Sequence, residues 1–201
     1  MLVLALILGA TTTVVLLNKK DNEASGEPST PVGSGEPDIS YVPTPQVVLR
    51  VSDVARYIEG EVRAQPLTAA DKPGEVDGIC EWRSSAFEKG PQTVLNVKAT
   101  RFSAESGKPG VKAAAASLKS QREFNAGQGR PTGAVDVAGA DDGAALQWLP
   151  SSGGASTMIV LARYRNLLVK VFYTRPGYTA DQLRAVALEV ATAMIADIKS
   201  H

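Results

Sequence analysis

Cysteine and histidine are almost missing from this chain of 201 residues: Cys80 is the single cysteine, and His201, the last residue, is the single histidine. One thiol excludes an internal disulfide, and one terminal imidazole excludes a Cys/His metal cluster and leaves no histidine inside the fold to activate Cys80. Aromatic residues are scarce at 5%, against 44% hydrophobic residues overall, so the core has to be built from Val, Leu and Ala. Net charge is absent, with 21 Lys and Arg against 21 Asp and Glu. No basic block interleaves with aromatics, which removes nucleic acid from the expected partners. No Asp-rich loop has the spacing of a calcium site, and no glycine-rich turn has the lysine and helix of a phosphate-binding loop. The sequence therefore nominates no catalytic, cofactor-binding or metal-ligating residue, and no cofactor.

What is present is a division of the chain. Residues 2–17 form an apolar run of 16 residues without a charge, followed by Asn18, Lys19 and Lys20. As a helix the run is about 24 Å long, somewhat short of the roughly 30 Å hydrocarbon core. It reads as an uncleaved signal anchor, a cleaved signal peptide or a buried helix. The polar tract behind it opposes the last reading. A basic leading region and an Ala-x-Ala-like exit are both lacking, and Thr11 stands where a lipoprotein signal needs cysteine. The expectation is an anchor over residues 1–18, with the membrane as partner. Lys19 and Lys20 favour keeping the carboxyl side cytoplasmic, a conflict that a true start upstream of Met1 would remove.

Residues 19–46 are expected to be a disordered linker. Pro28, Pro31, Pro37, Pro43 and Pro45 alternate with Gly, Ser, Thr and Glu, and Gly-Glu-Pro occurs at 26–28 and again at 35–37. Such a tract buries too little apolar surface to offset chain entropy. It reads as a spacer stiffened toward the polyproline conformation, or alternatively as a proline-rich ligand for an adaptor domain.

The remaining residues, 47–201, have the size of one domain. Ser52 and Asp53 open a short helix with Val54, Ile58 and Val62 on one face. Pro66, Pro73 and Gly74 mark a loop. Segments 79–87 and 93–102 read as a hairpin, and in the second Leu95, Val97 and Ala99 alternate with Asn96, Lys98 and Thr100, the period of a strand with one wet face. An Ala-rich helix is expected over 111–124, with Ala114, Leu118 and Arg122 at spacing four, then a loop through Gly127, Gly129, Pro131 and Gly133. Three extended segments follow, 144–149, 156–164 and 167–173, the last two joined by a tight turn at Arg165-Asn166 in which Asn166 tolerates a positive φ. Thr179 and Gln182 form a capping box for a terminal helix whose stripe of Leu183, Val186, Ala187, Val190, Met194 and Ile198 lies across a sheet. The order predicts a single α+β domain with a mainly antiparallel sheet of about five strands, covered by helices on one face or both.

At Gly78-Ile79-Cys80-Glu81-Trp82, and again from Gly139 to Trp148 with the following hairpin and helix, the chain resembles an uncharacterised actinobacterial family of membrane-anchored or lipoprotein-like cell-envelope domains with a Cys-x-Trp signature. The resemblance implies an exported, membrane-associated domain of a fold similar to Mog1/PsbP, and it brings no activity. Unlike lipoprotein members this chain lacks the anchoring cysteine, and unlike members with paired cysteines it has only Cys80.

Several residues invite a functional reading beside a plainer one. Cys80 is either a reactive or chain-linking thiol or a small core residue beside Glu81. Trp82 and Trp148 are an aromatic ligand platform or core filling with the indole nitrogen satisfied. Asp141 and Asp142 are an acid/base pair or a solvated turn. The Gly-rich stretches 126–133 and 153–154 approach a phosphate or simply loop. Arg163, Arg165 and Lys170 around the hairpin bind an anionic partner or form ordinary surface charge. The architecture points to an extracytoplasmic cell-envelope domain, tethered by a single membrane pass, that binds or scaffolds an envelope protein or small molecule. Its rivals are an envelope enzyme, a carboxylate-dependent hydrolase, and a cytoplasm-facing tethered regulator.

Overall fold

The computed structural model describes residues 38–58, 60, 62–67, 73–84, 92–104, 109–126, 130–148 and 155–201. The expected anchor, and the linker as far as Pro37, lie outside these residues. Among the described residues no helix is long and apolar enough to cross a membrane.

Two single-turn helices open the domain, α1 (Pro45–Val48) and α2 (Val51–Val54), and seven strands and two long helices follow. These are β1 (Val62–Leu67), β2 (Glu75–Ser84), β3 (Val94–Phe102), α3 (Gly110–Ala126), β4 (Arg130–Ala134), β5 (Asp142–Trp148), β6 (Thr157–Tyr164), β7 (Leu167–Thr174) and α4 (Ala180–Ser200). The strands make one sheet in the order β1-β2-β3-β7-β6-β5-β4, antiparallel at every pairing. After β3 the chain crosses through α3 to the far edge and meanders back, so that β7 closes the sheet against β3. The α+β class and the antiparallel sheet are as expected.

The sheet has seven strands where about five were expected, and the two extra ones are its edges. Val62 does not continue a helix: Gly60, at φ +82°, turns the chain and Val62 opens β1. Residues 130–134, expected as loop, form β4. Each edge strand contains a proline, Pro66 or Pro131, where a ladder needs hydrogen bonds on one side only.

Side chains alternate across the sheet, and the two faces meet different helices. Cys80, Trp82, Leu95, Val97, Ala99, Met158, Val160, Val169, Val171 and Tyr173 point to α4, whose Leu183, Ala187, Val190, Ala191, Met194, Ile195 and Ile198 close a continuous apolar core. The capping box forms as predicted, Gln182 N donating to Thr179 Oγ1 and Thr179 N to Gln182 Oε1. On the opposite face a smaller cluster of Phe102, Ala144, Leu146, Ile159, Leu161 and Leu168 packs on Ala114 and Leu118 of α3. Helices thus cover both faces. Arg122, expected on the same helix stripe, is exposed instead, one turn past the end of that apolar patch.

Residues 38–46, expected as the end of the linker, are part of the domain. Asn166, buried in the β6–β7 turn, takes Ile39 as a second strand would: Ile39 N donates to Asn166 Oδ1 at 2.8 Å, and Asn166 Nδ2 donates to Ile39 O at 3.1 Å and to Phe102 O at 3.0 Å. Asp38 accepts Gly110 N, Arg101 donates to Ser40 O, and Tyr41 donates to Asp197 at 3.0 Å while its ring stacks on His201. Gly78 is required by this strap, since a Cβ there would lie 2.5 Å from Pro43 O. Asn166 does not take the positive φ of the turn. Arg165 does, at +55°, because its amide is held by Asp141 Oδ2 at 2.7 Å while Asn166 is committed to the strap.

Candidate functional site

The wet face expected from β3 is there, and its neighbours extend it. The register sets Asp77 of β2 beside Thr100, Ile79 beside Lys98 and Glu81 beside Asn96, and on the other flank Lys98 beside Lys170 and Asn96 beside Phe172 of β7. Two cationic side chains therefore stand opposite each other on adjacent central strands, an arrangement that like charges oppose.

The two lysines are treated differently. Lys98 Nζ lies 2.6 Å from Asp77 Oδ2, and the Asp77 side chain is only 3% exposed. Thr100 Oγ1 donates to the other carboxylate oxygen at 2.5 Å, so Asp77 is fixed on both sides and the Lys98 charge is matched. Next to them Glu81 pairs with Arg83 and accepts from Asn96. Lys170 has no carboxylate within 4.0 Å among the described residues; its ammonium sits 4.5 Å from the Phe172 ring centre. Burial first, and the Lys98 charge second, hold the Lys170 amine below the ordinary lysine value.

A cleft of about 340 Å³ opens over this pair, between the sheet and α3. Lys98, Thr100 and Lys170 form its floor with Leu168, and α3 supplies Ser117 and Gln121, which share a helix face at spacing four. Gln121 Nε2 donates to Ser117 Oγ at 3.2 Å. Glu75 also lines the cleft. Hydroxyls, an amide and a half-buried ammonium around a small volume can orient a polar ligand.

The residues singled out from sequence fall elsewhere. Cys80 is fully buried against α4, and burial pushes its thiol up to about 11, so it stays protonated and packed. Trp82 is likewise a core residue at 0% exposure, yet its indole nitrogen finds no acceptor among the described residues, contrary to expectation. The Trp148 side chain, Gly127, Gly129 and the 153–154 stretch lie outside the described residues, while Gly133 sits in β4.

Asp141 and Asp142 are exposed and converge on Arg163, not on a ligand. Arg163 donates to Asp142 Oδ2 from Nε at 2.8 Å and from Nη2 at 2.6 Å, and to Asp141 Oδ2 from Nη1 at 3.0 Å. Both carboxylates border a groove of about 430 Å³ beside α3, but they serve to clamp the hairpin turn. This same clamp dismantles the Arg163, Arg165 and Lys170 cluster: Arg163 is neutralised, Arg165 belongs to the turn, and Lys170 is carried along β7 to Lys98. Among the described residues no three His, Cys, Asp or Glu side chains come together as metal ligands.

Sequence reasoning did not name Asp77, Lys98 or Thr100 as a site, nor Ser117 and Gln121. One signal was available, the lysine in the middle of the otherwise apolar run Leu167-Leu168-Val169-Lys170-Val171-Phe172. Compared with family models, with curated proteins and with solved structures, the chain has no match.

Proposed function

We propose that the domain is a binding module of the cell envelope, held near a membrane by its amino-terminal segment. The observation that carries the binding part is the polar cleft under α3, where a half-buried lysine without a carboxylate partner among the described residues faces enough space for a small molecule. The membrane part is supported by the apolar run at 2–17 and the polar tract behind it, and the envelope part by the resemblance at Gly78 to Trp82. A fold similar to Mog1/PsbP belongs to the same proposal. Binding is favoured over a carboxylate-dependent hydrolase because Asp141 and Asp142 are occupied by Arg163 and exposed, and Asp77 is occupied by Lys98 and Thr100.

Location is tested with reporters fused after His201 in intact cells. A reporter active only outside the cytoplasm is the expected result; one active only in the cytoplasm overturns the envelope placement in favour of a cytoplasm-facing regulator.

A further inference from the structure

We infer that the cleft between α3 and the sheet takes the carboxylate of a small organic monoanion, with the Lys170 ammonium as its counter-charge; this deepens, and rests on, the reading of the domain as a binding module. Three features of the cleft lead there.

The first is the asymmetry of the lysine pair. Lys98 is satisfied inside the fold by Asp77, which Thr100 in turn fixes. Lys170, directly opposite, is left with the face of Phe172. A cation–π contact replaces only part of the hydration an ammonium loses, and an apolar residue at this position would cost the fold less. An anion placed against Lys170 supplies the missing charge, and it also relieves the repulsion between the two ammonium groups.

Size and charge narrow the ligand. A volume of about 340 Å³ lies at the small end of ligand sites, which span roughly 300–1,000 Å³. Only one of the two cations lacks a carboxylate among the described residues, and Glu75, which also lines the cleft, has an interaction of its own, so a monoanion balances the remaining charge and a dianion overloads it. Ser117 completes the reading. Its Oγ already accepts from Gln121, which leaves the hydroxyl hydrogen to be donated to a second carboxylate oxygen.

Minimal probes separate charge from shape. The full chain, ¹⁵N-labelled in detergent micelles at fixed ionic strength, is titrated with acetate, with acetamide as its neutral isostere, and with inorganic phosphate. Amide signals of Lys170, Ser117 and Gln121 are followed. Acetate is expected to shift them saturably and acetamide not, and Lys170→Met or Lys170→Gln to weaken the acetate response by about tenfold or more while the remaining spectrum stays folded. Equal responses to acetate and acetamide overturn the counter-charge and leave the binding module standing. A stronger response to phosphate than to acetate overturns the monoanion. Cleft signals that respond to none of the three overturn both the inference and the binding module.

Discussion

The two faces of one sheet are built from the same strands and do opposite things. On the α4 side every position that β3, β6 and β7 present is apolar or buried, from Leu95 to Ala99, Met158 to Ala162 and Leu167 to Tyr173. One residue further along each strand the pattern changes. The α3 side has its buried apolar cluster beneath the helix, with Phe102, Leu161 and Leu168, and beside it carries Lys98, Lys170, Asp77 and Glu81 among Ile79 and Phe172. A continuous dry face supplies stability, because apolar area removed from water is the largest favourable contribution to folding. A face only half covered keeps polar groups near an opening, where Lys98 pairs with Asp77 and Glu81 with Arg83. The cleft therefore falls on the side where packing is least complete.

Breaking the dry face should have the largest consequence. Leu183→Ala removes a fully buried side chain from the α4 core and is expected to cost about 3 kcal/mol, read from urea or thermal unfolding. Next comes the seam that joins the strap to the sheet. Asn166→Ala leaves Ile39 N and O and Phe102 O without their partner and should cost about 2 kcal/mol; fast amide exchange at Ile39 would mark local release of the strap.

Alkaline pH probes the dry face in another way. Burial raises the Cys80 thiol from 9.0 to about 11, and burial, followed by Glu189, raises the Tyr57 hydroxyl from 10.0 to about 12. The folded chain thus keeps protons that the unfolded chain releases. The stability tied to Cys80 is complete below pH 9 and lost as pH rises through 11, and that tied to Tyr57 is complete below pH 10 and lost through 12. Unfolding measured from pH 8 to 11 should show declining stability, and Cys80→Ala should flatten the first part of that decline. Asp142→Asn weakens a clamp whose carboxylate is 49% exposed. It should cost less than about 1 kcal/mol, and the difference from the parent should shrink as salt is added.

The sequence discloses the fold wherever a long period repeats. The stripe from Leu183 to Ile198, the alternation from Leu95 to Thr100 and the hairpin over 157–174 each hold their pattern for several residues, and each forms as expected. The edges escape detection because Pro66 and Pro131 look like strand breakers, although an edge strand tolerates them. The strap escapes because Pro43 and Pro45 sit in a tract that reads as spacer, and its partners, Asn166 and Gly78, are more than thirty residues away in the chain. Half of the site is legible as the wet face of β3. The other half depends on register: Lys170 groups with Arg163 and Arg165 in sequence, and only the pairing of β3 with β7 sets it against Lys98.

If the sheet divides its labour in this way, Lys170 serves ligand binding and contributes nothing to the fold. Equilibrium unfolding of Lys170→Met decides the matter. An apolar side chain of similar length removes a half-buried charge and its repulsion with Lys98, so stability should stay unchanged or rise by up to about 1 kcal/mol. A loss of about 2 kcal/mol or more, of the size expected for a core truncation, would make Lys170 a structural residue and contradict the division between the two faces.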